Sequence, residues 1–534
     1  MEKLERKERS NRKLFILIFL AVILVSLDLR LIFLKADPFP YSVFGATWVD
    51  EGVYAHNARN QILFGEWKLE NDSWNPMYIS PTYNYLEFLS FEIWGVNTFA
   101  MRLVPAFVGI ISLLTAGLFF LSKKFEEGIT FLILLAVNPM HITYSRTATV
   151  ESILLALIVV IIGLMVCDKK YSWFLVGLLT PVLFFTKIIS AFFIAAIPLT
   201  LLSYWFFYKS KIYLKKFGIF ISGAVLSLTL WLFWLIPNFS DWKYMNFDIF
   251  AANGRFGLSI KEFGVIIVTA SQFFLLNPLL VMAALFIIIY LFIQFRRKEK
   301  IDFFDLFLVV TLILFFLQIL LTDYDLRRFL LLVPILALAS SRLILRTKEI
   351  NVNISENKSK FDNKFLVIFF ILTYIIISLS QLFPFYVNIV KDLNNSFIIR
   401  DNSLEIGKYI PPYSKVYGNQ AAPLSMENKI KPYHGNYLDR LHNTEENILF
   451  LLQSGEINYA VLKENIFNEA DLKEYDRDLN KSKVYRYLHD NFEVIKEIQG
   501  KHSRTNEPDR KYIYRRIISS DKLFNLDKPN AFKP

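Results

Sequence analysis

Apolar residues in this chain come in long unbroken runs over its first three quarters and in short mixed patches over the last. A run of about 17 to 25 apolar residues is long enough to cross a hydrocarbon core as a helix. Such runs fall at 14–34, 99–121, 128–143, 150–167, 172–186, 188–208, 217–237, 272–295, 303–321, 328–345 and 365–387. They predict about eleven spans, within a range of about 10 to 13. Residues 263–277 add a short interfacial or re-entrant piece. The charged segment 1–13 has no small-residue cleavage site after it, so the first span is expected to stay as an anchor. From Lys391 the pattern turns polar and alternates. Helices are expected at 403–409, 444–454 and 481–491, and strands at 415–417, 457–462, 492–497 and 511–516. The reading is an α-helical polytopic membrane domain over 1–392 followed by a small extracytoplasmic α/β domain over 393–534.

Composition agrees with the membrane reading: 54% of the 534 residues are hydrophobic, 16% are aromatic, and Phe alone occurs 52 times. Lys and Arg set the orientation. Arg12 and Lys13, Lys123 and Lys124, Lys169 and Lys170, Lys215 and Lys216, Arg296 and Arg297, and Arg346, Lys358, Lys360 and Lys364 all fall in alternate loops. That places the N-terminus in the cytoplasm of a multi-pass plasma-membrane protein, with loop 35–98 and the tail outside. The formal charge of +11 is then an inner-surface charge, and no nucleic-acid partner is expected. A single cysteine, Cys167, excludes a disulfide within the chain and a thiolate metal cluster.

Loop 35–98 is too long to be a mere connector, and it is acidic and rich in Trp and Tyr. It is expected to lie on the membrane as short interfacial helices. Asp50 and Glu51 stand out, flanked by Trp48, Val49, Val53 and Tyr54. A carboxylate shielded from water has a raised pKa and can act as a general base, or else it requires a cation. Cations recur on the same side although topology disfavours them there: Arg102, Arg146, Lys187 and the pair Arg327-Arg328. Guanidinium groups at an outward helix start suit a phosphate at headgroup depth. Each also has a plainer reading, as a group reaching lipid phosphate or, for the Arg pair, bonding Asp323 and Asp325. His56 and His141 lack a ligand spacing with another His, and a lone His is more often structural than metal-bound. The tail shows no phosphate loop, zinc spacing or nucleophile elbow, and is expected to dock substrate or act as a lid.

These residues carry a family resemblance. Asp50 to Asn57, Gly65-Glu-Trp67, Pro81 to Leu86, Trp94 to Pro105, Tyr144-Ser-Arg146 with Glu151, Thr186-Lys187, and Arg327 to Pro334 occur in that order. Over roughly residues 14–345 the chain resembles the polytopic GT-C glycosyltransferases of the protein O-mannosyltransferase and aminoarabinose-transferase type. The resemblance implies transfer of a sugar from a polyprenyl-phosphate carrier to a protein, lipid or glycan acceptor on the outer side of the membrane. It implies Asp50 as the catalytic acid that deprotonates the acceptor, with Glu51 as its partner. It sets Tyr54, His56, Arg102, Arg146, Glu151, Lys187, Arg327 and Arg328 in the substrate site, the last two and Lys187 toward the carrier phosphate. Glu151 departs from the family's usual Asp. Family members differ on metal, so dependence on a divalent cation is left open, and no nucleotide is expected. The main rival is a transporter or flippase of lipid-linked glycans, whose polar groups gather near the membrane midplane in repeat-related broken helices. A glycan polymerase and a tail-borne binding protein are the others. Here the charges crowd the outer mouth, and no repeat is evident.

Overall fold

An apolar run in lipid has no water to satisfy its peptide groups, so it must close its hydrogen bonds within itself as a helix. The computed structural model describes residues 2–38, 48–70, 72, 74–121, 125–248, 260–321, 325–354, 363–393, 396–433, 442–463, 465–468, 482–501 and 508–517. Lys123, Lys124, Asp323, Lys358 and Lys360 lie outside these residues.

The chain opens with helix α1 (Glu2–Leu31). Loop 35–98 folds into α2 (Trp48–Tyr54), α3 (His56–Phe64), a 3-10 turn at Pro76–Tyr78 and α4 (Pro81–Trp94). The bundle continues as α5 (Thr98–Leu121), α6 (Phe125–Ala136), α7 (Pro139–Tyr144), α8 (Val150–Cys167), α9 (Lys170–Thr186), α10 (Ala191–Tyr208) and α11 (Lys211–Lys243). It ends with α12 (Ile260–Leu276), α13 (Pro278–Arg296), α14 (Phe303–Leu321), α15 (Leu326–Phe329), α16 (Val333–Ile354) and α17 (Asn363–Lys391). Among the described residues, seven helices are long and apolar enough to cross a membrane, from Thr98–Phe119 to Ile368–Lys391. On α11, Val225, Leu230, Phe233 and Ile236 point outward, a surface suited to lipid tails and not to water.

Two runs read as single spans are broken. The run 128–143 divides between α6 and α7, and 272–295 divides between α12 and α13. Both breaks are Asn-Pro steps. Proline lacks an N–H and disfavours helix in the residue before it, yet it suits the first turn of a new helix. The two breaks meet in space: Asn138 donates to the Asn277 side chain at 2.8 Å and to the Tyr374 hydroxyl at 2.8 Å. Helices α9 and α11 cross with almost no separation. A Cβ on Gly177 would stand 2.0 Å from the Phe220 carbonyl oxygen, and one on Gly223 2.2 Å from that of Phe174.

Charges gather at both ends of the bundle. At the end of α8 opposite Glu151, Lys216 meets Asp168 at 2.6 Å. About 20 Å along the chain axis from Arg328, Arg342 bonds Glu127 at 3.3 Å, Asp302 at 2.5 Å and Asp305 at 3.1 Å, and Arg346 also reaches Asp305.

The tail holds α18 (Ile398–Tyr409), α19 (His442–Gln453) and α20 (Lys483–Asn491) around a five-stranded sheet in the order β2-β1-β3-β5-β4. Its strands are β1 (Lys415–Tyr417), β2 (Lys431–Tyr433), β3 (Ile457–Leu462), β4 (Phe492–Lys501) and β5 (Pro508–Arg516). β1 is parallel to β2 and β3, whereas β5 is antiparallel to β3 and β4. Strand β2 carries no pattern at three residues long, and the sequence reading has no strand there. Alternate strand residues fill two cores: Tyr417, Ala460, Tyr512 and Tyr514 in one, and Val416, Val461 and Ile513 in the other. Loop 35–98 reaches both, with Leu69 buried in the first and Val49 packed on the second. The tail is thereby joined to the loop that bears the acidic pair.

Candidate active site

Helix α2 is seven residues long and too short to be stable alone, so its position is imposed by what surrounds it. Two contacts do this. Its Gly52 lies flat on the tail: a Cβ there would be 2.6 Å from the Ala422 carbonyl oxygen and 2.8 Å from the Pro423 Cα. In the next helix, buried Arg59 donates to the carbonyl oxygens of Ser425 (3.0 Å), Asn428 (2.9 Å) and Ile430 (2.9 Å). Backbone atoms at five positions between 422 and 430 therefore hold the helix that presents Asp50 and Glu51 and the helix that follows it.

The two acids point to different partners. Glu51 forms a two-pronged pair with Arg102, Nε to Oε1 at 2.7 Å and Nη2 to Oε2 at 2.6 Å. Its Oε1 also accepts the Ala148 N–H at 2.9 Å, just before α8 begins. Arg102 spends its remaining nitrogen on the carbonyl oxygens of Leu34 and Ala36. With side chains 1% and 2% exposed, this pair is closed to a ligand.

Asp50 is open by comparison, its side chain 26% exposed, and it meets Arg327 Nη1 at 2.8 Å. Arg327 is held in turn by Asp325, Nε to Oδ2 at 2.8 Å. Beside them Lys187 donates to Glu151 at 2.6 Å and to the Tyr54 hydroxyl at 3.1 Å, with its ammonium 5.3 Å from the centre of the Tyr54 ring. Burial pushes the Asp50 carboxyl above its ordinary range; Arg327 opposes that rise, Glu151 adds to it, and Lys187 opposes it again. Asp50, Glu151 and Asp325 thus face Lys187, Arg327 and Arg328, three formal negative charges against three positive.

Asp50, Tyr54, Glu151, Lys187 and Arg327 stand together, and Arg328 is close enough for its charge to bear on Lys187. Arg146 and His56 are engaged otherwise. Arg146 donates to the carbonyl oxygens of Leu29, Arg30, Ile32 and Phe33, closing the C-terminal end of α1, where a cation is favoured by the helix dipole. His56 bonds Asp72 at 2.7 Å and Asn60 at 3.1 Å inside the folded loop. His141 bonds Arg30 at 2.7 Å. Among the described residues, no group of three or more His, Cys, Asp and Glu side chains is placed to hold a metal ion. Glu87 and the 422–430 segment are absent from the site residues expected from sequence, and Tyr83 entered only within the Pro81–Leu86 motif. The four-residue spacing of Tyr83 and Glu87 on a helical pattern was the available signal for that pair.

No protein-family model and no curated protein matches the sequence. Solved structures do match the fold. ArnT from Cupriavidus metallidurans, bound to undecaprenyl phosphate, superposes with a TM-score of 0.59 at 13% identity over 95% of this chain and 98% of that one. The apo form of the same protein gives 0.58 at 14% identity, over 94% and 97%. The oligosaccharyltransferase AglB from Archaeoglobus fulgidus gives 0.48 at 12% identity, over 84% and 69%. The chain is a multi-pass membrane protein with a C-terminal sheet region, and over 95% of its length it shares the fold of ArnT.

Proposed function

We propose that this protein is a membrane glycosyltransferase that moves a sugar from a polyprenyl-phosphate carrier to an acceptor outside the membrane. The observation that carries this reading is the accessible Asp50 carboxylate held by Arg327 beside Lys187, on a fold that ArnT uses with undecaprenyl phosphate bound.

The chemistry follows from the charges. Asp50 removes the proton from an acceptor hydroxyl or amine as its lone pair attacks the anomeric carbon. The bond from that carbon to the phosphate oxygen breaks, and its electron pair leaves with the phosphate. A diester of charge −1 becomes a monoester of charge −2, while Asp50 goes from −1 to neutral. The total charge of site and substrates is unchanged, so no charge has to be brought from water into a shielded pocket. Arg327, Lys187 and Arg328 face the new phosphate charge, and attack from the side opposite the leaving group inverts the anomeric centre. Glu51, sealed to Arg102, fixes α2 and takes no proton. The tail packs on α2 and serves as its mould.

Mass spectrometry of surface glycans and glycoproteins tests the reading. A host lacking the protein should lose one sugar from its profile, and the wild-type chain should restore it where Asp50→Asn does not. An unchanged profile in the deleted host would overturn the proposal.

A further inference from the structure

One face of α4 is chemically unfinished. Tyr83 and Glu87 are both fully buried and act on each other, yet beyond that mutual contact the Tyr83 hydroxyl and both Glu87 carboxyl oxygens have no hydrogen-bond partner of ordinary geometry. Ser80 Oγ, at the start of the helix, and Asn84 Oδ1 are orphaned in the same way. Across from this face, the second carboxylate oxygen of Glu151 is also unpaired, while its first holds Lys187. Folded interiors rarely leave such atoms unsatisfied, because each one forgoes the hydrogen bonds it had in water. Several of them on one helix face, beside Asp50's cluster, indicate a site completed by a ligand.

Location narrows the ligand. The Tyr83 ring meets the Tyr54 ring edge-on, centroids 6.4 Å apart. The Tyr54 hydroxyl accepts from Lys187. A group resting on Tyr83 and Glu87 is therefore one aromatic ring away from the cations assigned to phosphate. Charge narrows it further. Burial raises the Glu87 carboxyl well above its usual range, the Tyr83 hydroxyl opposes that rise and the neighbouring Glu51 adds to it; the balance favours the protonated form, which can donate. Glu51 itself is paired to Arg102 and Glu151 to Lys187, so neither supplies an unbalanced charge. The orphaned atoms of this face include no ammonium or guanidinium group.

Resting on the glycosyltransferase reading, we infer that this face of α4 seats the sugar ring of the donor, with Tyr83 and Glu87 reading its hydroxyls, and that the sugar is neutral. A uronic acid would bring a carboxylate to a wall whose nearest cation, Lys187, is already paired with Glu151. A hydroxyl-rich hexose or pentose finds donors in Tyr83, Ser80 and Glu87 and acceptors in Asn84 and Glu151.

The test measures binding by the full-length protein in nanodiscs to decaprenyl phosphate and to its glucosyl, mannosyl, arabinosyl and glucuronosyl esters. The wild type should bind at least one neutral glycosyl carrier about tenfold more tightly than the bare carrier, and the glucuronosyl ester no better than the bare one. Tyr83→Phe and Glu87→Leu should each reduce that preference about five- to tenfold while leaving bare-carrier affinity unchanged. Glu87→Gln, which still donates, should keep most of it. Equal binding of bare and glycosyl carriers by the wild type, or equal loss of both in the variants, would overturn the sugar seat alone. No binding of the bare carrier would overturn the polyprenyl-phosphate reading and this inference with it.

Discussion

Asp50 and Glu51 are neighbours in the chain, yet each is bound by a different arginine, Arg327 for the first and Arg102 for the second. The first pair is open to a substrate and the second is sealed. That difference separates their expected roles and makes them experimentally distinguishable.

Replacing Asp50 by Asn removes the proposed proton acceptor but only one accessible ion pair. Transfer from a polyprenyl-phosphate sugar should fall by about 10²- to 10⁴-fold. The thermal midpoint in detergent should stay near that of the wild type. Unimpaired transfer would remove Asp50 from the mechanism.

Glu51→Gln should behave in the opposite way. It leaves the Arg102 guanidinium buried without its counter-charge, a loss of about 3–5 kcal/mol when one member of a buried pair is removed. Scanning fluorimetry should show a clearly lowered unfolding midpoint, and protein that does fold should keep part of its activity. A midpoint equal to wild type would show that the pair does not hold α2.

The pH dependence follows from Asp50 as well. A base must be ionised to work, and burial raises the pKa of this one, so the rate should fall on the acid side at a pH above the usual Asp value of about 3.9. Arg327 pulls that pKa down, against Glu151 and Asp325 and together with Lys187. Arg327→Gln should therefore move the acid limb of the rate profile to higher pH, whatever it does to the maximal rate. A limb that stays in place would show that Asp50 is not the titrating group.

Arg59→Met tests the clasp between loop and tail. Three carbonyl oxygens at 425–430 lose their donor, and each buried acceptor left unpaired costs about 1–3 kcal/mol. Limited proteolysis should release the tail faster than in wild type, and transfer should fall with it. Unchanged proteolysis would show that the tail is held by other contacts.

The sequence exposed the helices and the acidic pair because both are local: an unbroken apolar run and two adjacent carboxylates can be read without knowing any neighbour. Lys187 and Arg327 were also legible, as cations in loops where the expected topology disfavours them. Arg146 shows the limit of that logic. A cation at the outer mouth satisfies helix-end carbonyls as well as it satisfies phosphate, and only the position of α1 decides between them. His56 was ambiguous until Asp72 appeared beside it. The Asn-Pro break at 138 was overlooked because the apolar run continues through it, whereas the one at 277 was half legible, since 263–277 stood out as a short piece although the span at 272–295 ran across its end. The unfinished face of α4 depends on what does not contact it, which no local pattern records.

Gly52 gives the molecule an order of assembly. The short helix with the acidic pair emerges early in synthesis, but the surface that shapes it, Ala422 and Pro423, is made some 370 residues later. Until then Asp50 has no fixed address. The surface on which the acidic pair's helix rests is therefore complete only after translation has entered the final quarter of the chain.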